Sequence, residues 1–83
     1  MIDVMIITHN ESLNLPHCLR SLQGWTNRIL VVDSGSTDDT PQIAQAFGAE
    51  VIHHDWEGYA AQKNWGLDNL PFESPWLLLL DAD

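Results

Sequence analysis

The sequence is poor in positive charge. Only three of its 83 residues are Lys or Arg, against 12 Asp or Glu, and the formal net charge is −9. Cationic side chains supply most of the affinity for nucleic acid backbones and for anionic lipid surfaces, so this balance excludes nucleic acid as an expected partner and disfavours electrostatic membrane binding. A phosphate ligand would therefore need a metal cation, a helix N-terminus or backbone amides beside it.

Cysteine and long apolar runs are also scarce. Cys18 is the single cysteine, so a disulfide within the chain is excluded and a reducing cytoplasm is the expected location. The longest apolar run, 76–80, is far shorter than the roughly 20 residues of a spanning helix, and the N-terminus does not resemble a signal peptide. Domains typically have about 100–150 residues, so the length predicts one small domain or part of a larger one.

Four short apolar runs alternate with three stretches of helical periodicity. The runs comprise residues 4–7, 29–32, 51–52 and 76–80. Continuous rather than alternating hydrophobicity is typical of strands that are covered on both faces. In the third helical stretch, the expected packing residues are Ala60, Trp65 and Leu67. The alternation predicts an α/β fold with a Rossmann-like, mainly parallel four-stranded sheet and three helices.

A polar residue ends each apolar run. In open parallel sheets, ligands bind outside the carboxyl ends of the strands, near the point where the strand order reverses. The residues at these ends are Thr8, Asp33, His53 and Asp81. The sequence therefore predicts a ligand site at this edge of the sheet.

Two carboxylates, Asp81 and Asp83, follow the fourth run. Chance alone produces acidic pairs at this spacing in so acidic a chain, so the spacing carries no weight. The position at the rim of a buried sheet would let the pair share a divalent cation that bridges a diphosphate. A solvated strand terminus is the other interpretation, and both stay open at this point.

Asp33 and Lys63 are further candidates for ligand contacts. Asp33 directly follows an apolar strand, where it could accept hydrogen bonds from a ribose or a base, whereas Asp38 and Asp39 are expected to cap the next turn and helix. Lys63 could contact a phosphate, with an ordinary exposed helix lysine as the alternative. The spacing of the histidines does not fit zinc.

Together, these motifs resemble the nucleotide-binding half of the family 2 glycosyltransferases, inverting enzymes with the GT-A fold. Residues 54–64 look most like the branch of lipopolysaccharide and lipooligosaccharide core β-1,4-glucosyltransferases. The matching segments span nearly the whole chain in the family's order: Ile6-Ile7-Thr8-His9-Asn10-Glu11, Cys18-Leu19-Arg20-Ser21-Leu22, Val31-Val32-Asp33-Ser34-Gly35-Ser36-Thr37-Asp38, Gln62-Lys63-Asn64-Trp65-Gly66-Leu67 and Leu79-Leu80-Asp81-Ala82-Asp83.

The resemblance implies a role for each matching residue. Thr8 would line the nucleotide base, and Asp33 would bind the base or ribose of a nucleotide sugar, commonly a UDP-sugar. Lys63 would lie near the phosphates. Asp81 would approach the ribose, and Asp83 would hold Mg²⁺ or Mn²⁺ on the diphosphate.

The resemblance also implies a reaction. The expected activity is metal-dependent, inverting transfer of a sugar from a nucleotide sugar to a saccharide or lipid-linked acceptor, in lipopolysaccharide or cell-envelope glycan biosynthesis. Many relatives carry a second Asp where this chain has Ser34, which affects part of the base contact. We expect a cytoplasmic protein, and a lipid-linked acceptor would bring it to the inner face of the cytoplasmic membrane.

In the family, the general base and the acceptor half lie beyond the Asp-x-Asp motif. We therefore expect residues 1–83 to be the nucleotide-sugar-binding part of a domain that is truncated at this motif, with the catalytic base beyond Asp83. An inactive fragment, or a nucleotide-binding module without turnover, is the alternative function. A phosphohydrolase would carry Asp-x-Asp after the first strand, and a sugar nucleotidyltransferase would carry a Gly-rich, Arg-containing loop there. Thr8-His9-Asn10-Glu11 fits neither.

Overall fold

The computed structural model describes residues 1–81, with the backbone alone for Asp81. Strands and helices alternate along the chain. The strands are β1 (Ile2–Thr8), β2 (Ile29–Asp33), β3 (Glu50–His53) and β4 (Trp76–Asp81), and the helices are α1 (Leu15–Leu22), α2 (Thr40–Ala46) and α3 (Tyr59–Asn69). The predicted order of four strands and three helices is confirmed.

The strands form one sheet in the order β3-β2-β1-β4, and all neighbouring pairs are parallel. The α/β, Rossmann-like fold class is therefore confirmed. The pairing aligns the carboxyl ends of the strands, because Thr8 lies opposite Asp33, Asp33 opposite His53, and Ile7 opposite Asp81. The four polar strand ends thus share one edge of the sheet, as the sequence predicted.

Helices pack on both faces of the central strand β1. On one face, a buried apolar cluster joins β1 and β2 to α1 and α2; its members are Val4, Ile6, Leu15, Leu19, Leu22, Val31, Ala44 and Ala49. Side chains alternate between the faces of a strand, so Met5 points to the other face, where it meets Gly66 of α3. The continuous hydrophobicity of β1 follows from this burial on both sides.

Helix α3 packs through Gln62 and Gly66, which are buried, and not through two of its predicted packing residues. The prediction was wrong for Ala60, which is exposed, and for Leu67, which stays 44% exposed. The reason is a close approach to the sheet: a Cβ atom at Gly66 would lie 2.3 Å from Met5 Sδ. The helix meets the sheet through its smallest residue, so a search for apolar spacing selects the wrong face.

Strand β4 forms one edge of the described sheet and is more exposed than its hydrophobicity suggests. Trp76 is 71% exposed and Leu79 is 36% exposed. Among the residues that the structure describes, no helix has the length and apolar character needed to cross a membrane.

The edge of the sheet opposite the carboxyl ends is held by Asp3, a buried carboxylate. It accepts hydrogen bonds from Asn27 Nδ2 (3.1 Å), the backbone N–H groups of Arg28 (3.2 Å), Glu73 (2.6 Å) and Ser74 (3.1 Å), and Ser74 Oγ (2.7 Å). Burial raises the pKa of Asp3, but these hydrogen bonds outweigh it and hold the pKa well below its usual value. Asp3 thereby ties the segments before β2 and β4 to the start of β1.

Candidate functional site

A cavity of about 300 Å³ opens at the carboxyl edge of the sheet, lined by His9, Ser34 and Trp56. His9 directly follows β1, Ser34 directly follows β2, and Trp56 lies in the segment between β3 and α3. The cavity therefore lies where the strand ends predicted a ligand site. His9 was not predicted as a site residue, and Ser34 was noted only as the position where many relatives carry a second Asp, although the positions directly after buried strands would have indicated both.

Thr8 and Asp33, two of the predicted site residues, are brought into direct contact beneath this cavity. The side chains belong to paired positions on β1 and β2, and Thr8 Oγ1 donates a hydrogen bond to Asp33 Oδ1 at 2.8 Å. Both residues are buried, with 1% and 3% of their surface exposed. A buried carboxylate needs such partners, because an unpaired charge away from water is strongly destabilising.

Every acceptor position of the Asp33 carboxylate is used within the chain. Besides Thr8, Oδ1 accepts from Ser36 Oγ at 2.5 Å, and Oδ2 accepts from the backbone N–H groups of Gly35 (3.2 Å) and Ser36 (2.9 Å). A carboxylate offers about four lone-pair sites. Direct contact between Asp33 and a nucleotide stays a prediction, while the geometry favours a carboxylate that fixes the turn carrying Ser34.

Asn10 joins the loop after β1 to the loop after β2. Its backbone N–H donates to Ser36 Oγ at 2.8 Å, and its Oδ1 accepts from the backbone N–H of Thr37 at 2.8 Å. Its φ of +53° lies in the left-handed region, which Asn tolerates better than most residues. The two loops beside the cavity are therefore fixed to each other before any ligand binds.

Asp38 has the capping role that the sequence predicted for it, whereas the same prediction was wrong for Asp39, which precedes α2 directly but makes no side-chain capping hydrogen bond. Its Oδ1 accepts from the hydroxyl of Thr40 and from the backbone N–H of Thr40 at 2.9 Å, and its Oδ2 accepts from the backbone N–H of Ser12 at 3.2 Å. The hydrogen bond from the Thr40 side chain is the largest cause that lowers the pKa of Asp38 to about 2. This carboxylate organises the start of α2.

Lys63 lies beside an aromatic pair that adjoins the cavity. The rings of Trp56 and Tyr59 meet edge to face, with centroids 6.4 Å apart, and Lys63 Nζ lies 4.3 Å from the centroid of Tyr59. The ammonium group is thus held by a cation–π contact one helical turn after Tyr59. Its predicted contact with a phosphate is not tested by this geometry and stays a prediction.

The remaining strand ends differ in what the structure describes. His53 is exposed, and its Nε2 lies 2.9 Å from Asp55 Oδ1. Asp81 ends β4 at the same edge, but its side chain and the whole of Asp83 lie outside the described residues. Within the described part of the chain, no three His, Cys, Asp or Glu residues are arranged to hold a metal ion.

Comparisons with known proteins identify the family. An uncharacterized glycosyltransferase of Rickettsia conorii is 42% identical over 82 residues, covering 99% of this chain and 28% of the relative. The lipopolysaccharide core biosynthesis glycosyltransferase LpsC of Rhizobium meliloti is 34% identical over 87 residues, covering 99% of this chain and 31% of the relative.

A solved structure has the same fold. Glucosyl-3-phosphoglycerate synthase from Mycobacterium tuberculosis, crystallised with Mn²⁺, UDP and glucosyl-3-phosphoglycerate, superimposes with a TM-score of 0.81 at 25% identity. The match covers 100% of this chain and 33% of that one, so the chain spans about a third or less of these relatives. The sequence profile of glycosyl transferase family 2 matches residues 3–83. With its parallel sheet and the cavity at the carboxyl ends of the strands, this chain belongs to glycosyl transferase family 2.

Proposed function

We propose that the chain forms the donor site of a metal-dependent, inverting glycosyltransferase that transfers a sugar from a UDP-sugar. The observation that carries this proposal is the cavity lined by His9, Ser34 and Trp56 at the carboxyl edge of the sheet. Ligands of open parallel sheets bind at this edge. The crystallised relative with the same fold contains UDP, which supports a uridine nucleotide as the ligand.

The proposed donor contacts follow the order of the strands. Thr8 lies under the base, and Asp33 contributes through the Ser34 turn that its carboxylate fixes. Lys63 approaches the phosphates from α3 when its ammonium group moves away from the ring of Tyr59, over which it lies without ligand. Asp81 approaches the ribose from the end of β4. A carboxylate near an anionic donor would repel it unless a cation lies between them.

The proposed cofactor is Mg²⁺ or Mn²⁺, with Asp83 as its protein ligand. These ions favour oxygen ligands, and Mg²⁺ is commonly held by one or two carboxylates together with substrate phosphates. Asp81 and Asp83 fit that pattern. When bound, the cation neutralises negative charge that develops on the leaving diphosphate. The crystallised relative also contains Mn²⁺.

The proposed acceptor is a saccharide or a lipid-linked glycan of the cell envelope, with the reaction in the cytoplasm or at the inner face of its membrane. The sequence identity of 34% to a lipopolysaccharide core biosynthesis glycosyltransferase supports this class of acceptor. We expect the general base that would deprotonate the acceptor hydroxyl to lie beyond Asp83. A turnover assay with a UDP-sugar and an acceptor extract separates a transferase from a nucleotide-binding module without turnover.

Calorimetric titration of the chain with UDP, in the presence and absence of Mn²⁺, tests the donor site. We expect Mn²⁺ to strengthen UDP binding, and we expect Asp83→Ala to remove this gain while the protein stays folded. Asp68→Ala is the matched control, because Asp68 is an exposed carboxylate near the end of α3, next to the opposite edge of the sheet. Binding of UDP that is independent of both Mn²⁺ and Asp83 would contradict the proposal.

A further inference from the structure

Gln62 is a fully buried amide on α3, and none of the donor contacts above gives it a role. Its Nε2 donates to the backbone carbonyl of His54 at 3.0 Å, and its Oε1 lies 2.7 Å from His54 Nδ1. Because Nε2 donates to the carbonyl, Oε1 is the acceptor, and Nδ1 carries the proton. Burying an amide is destabilising unless both of its ends are bonded, and here one residue satisfies both.

His54 is in turn fixed to the sheet. Its backbone N–H donates to the carbonyl of Asp33 at 3.0 Å, and its ring stacks on Trp65 with centroids 4.0 Å apart. On the other side, Nε2 lies 3.8 Å from Glu57 Oε1. The end of β2 and helix α3 therefore hold His54 between them.

The His54–Gln62 pair closes a short loop that carries Trp56. Residues 55–61 run from one member of the pair to the other, so both ends of this segment are anchored. Within it, Trp56 lines the cavity and packs edge to face on Tyr59. Trp56 is 53% exposed, so a ligand can reach its side chain while the ends of its loop are held. A ligand that stacks on this ring binds to a wall that is already in place.

The strand order indicates which part of the donor reaches this wall. The strands run β3-β2-β1-β4, so the end of β3 and the end of β4 lie three spacings of about 4.8 Å apart, or about 14 Å. With the ribose next to Asp81 at the β4 end and the base over Thr8 and the Ser34 turn, the base is the part of the donor that faces Trp56 at the β3 end. Bases stack on aromatic side chains whatever their sequence, since every base has a π-face.

We propose that Trp56 stacks on the base of the nucleotide, and that the His54–Gln62 pair is the positioning device that holds Trp56 there. This inference rests on the proposed function, because it requires a nucleotide in the cavity. Gln62 and His54 act through Trp56 and do not touch the ligand.

A double-mutant cycle on UDP binding in the presence of Mn²⁺ tests the inference. We expect Trp56→Ala to raise the Kd for UDP about tenfold, as for loss of one aromatic stacking partner. We expect Gln62→Met, which keeps the volume and removes both hydrogen bonds, to raise it about fivefold. In the Trp56→Ala background, Gln62→Met should no longer change the Kd. If Gln62 only stabilises the fold, the two substitutions should change the free energy of UDP binding additively. Additive changes would overturn the inference.

Matched variants separate this outcome from general loss of stability. Trp25 is 54% exposed and lies in the loop before β2, at the opposite edge, so Trp25→Ala should leave the Kd unchanged. Ser74→Ala weakens the buried hydrogen bonds of that edge and should lower the Tm without changing the Kd. If Gln62→Met does not fold, His54→Leu takes its place in the cycle, because it removes the ring hydrogen bond and keeps an apolar contact for Trp65.

Comparing UDP with UDP-glucose shows whether the base or the sugar of the donor stacks on Trp56. The effect of Trp56→Ala should be equal for UDP and UDP-glucose, because the base is common to both. A loss confined to UDP-glucose would place the sugar at Trp56 and refute base stacking. If the unaltered protein does not bind UDP, the proposed function and this inference both fall. Normal binding of UDP that is insensitive to Trp56→Ala refutes the inference alone.

Discussion

The carboxylate of Asp33 accepts two hydroxyl donors at Oδ1 and two backbone N–H donors at Oδ2. This division of donors between the two oxygens predicts different losses in the free energy of unfolding for two substitutions of Asp33. In Asp33→Asn, the new amide nitrogen can face Thr8 and Ser36, because hydroxyl groups can rotate and accept. The amide oxygen then keeps the backbone donors. The loss is the difference between charged and neutral hydrogen bonds, about 1–2 kcal/mol of the free energy of unfolding in total.

In Asp33→Ala, all four donors lose their acceptor. Thr8 is 1% exposed, so its hydroxyl stays without water, and each buried unsatisfied group costs about 1–3 kcal/mol. Since the turn at Gly35 and Ser36 is less buried and can recruit water, we expect a total loss of about 3–4 kcal/mol.

Urea denaturation followed by tryptophan fluorescence measures both losses, with Asp39→Ala as the control, because Asp39 is an exposed carboxylate of the same loop. If Asp33 acts through the turn, Asp33→Asn should keep the Kd for UDP within about threefold. Equal destabilisation by Asn and Ala would refute the division of donors. A variant Asp33→Asn that keeps its stability but no longer binds UDP would show a direct contact instead.

Two further predictions concern stability. The pKa of Asp3 is depressed in the folded state, so the ionised carboxylate contributes fully to the free energy of unfolding above its ordinary pKa of 3.8, and the contribution declines as the pH falls below that value. Asp3→Asn should therefore flatten the pH dependence of the free energy of unfolding below about pH 4, and an unchanged slope would contradict this role of Asp3. Gly66→Ala should lower stability by about 1 kcal/mol, because overpacking against Met5 exceeds the gain in helix propensity. Met5→Val should relieve part of this loss in thermal unfolding of the double variant, whereas simple additivity would argue against the contact.

The fold could be predicted because its signals are local. Each strand is a continuous apolar run, and each helix boundary has nearby punctuation such as Gly24, Pro41 or Gly48. The position of the site followed from the same pattern, since parallel strands bring their carboxyl ends to one edge whatever their order. No property of distant residues was needed for either conclusion.

Other features depend on contacts between distant residues, which periodicity does not encode. The exposure of Trp76 follows from the position of β4 at the edge of the described sheet. The run of leucines predicts a strand but not its place in the strand order. One of the four hydrogen bonds that occupy the Asp33 carboxylate comes from Thr8, which lies 25 residues earlier in the sequence. The packing of α3 depends on a close approach at Gly66 that removes the usual apolar stripe.

The structure describes only part of the Asp81–Asp83 motif. The backbone of Asp81 lies at the predicted edge, while Asp83 lies outside the described residues, so the metal-binding role stays a prediction from the resemblance. The same holds for the proposed truncation of the domain at this motif.

The central claim is that a nucleotide sugar binds at the carboxyl edge of the sheet. Amide chemical shifts of the chain, recorded by NMR during titration with UDP and Mg²⁺, test it most directly. Binding at this edge predicts shifts confined to residues 8–10, 33–37, 54–57, 63 and 81–83, with none at 25–28 or 73–74 on the opposite edge. Shifts centred on 25–28 and 73–74, or no response to UDP at all, would contradict it.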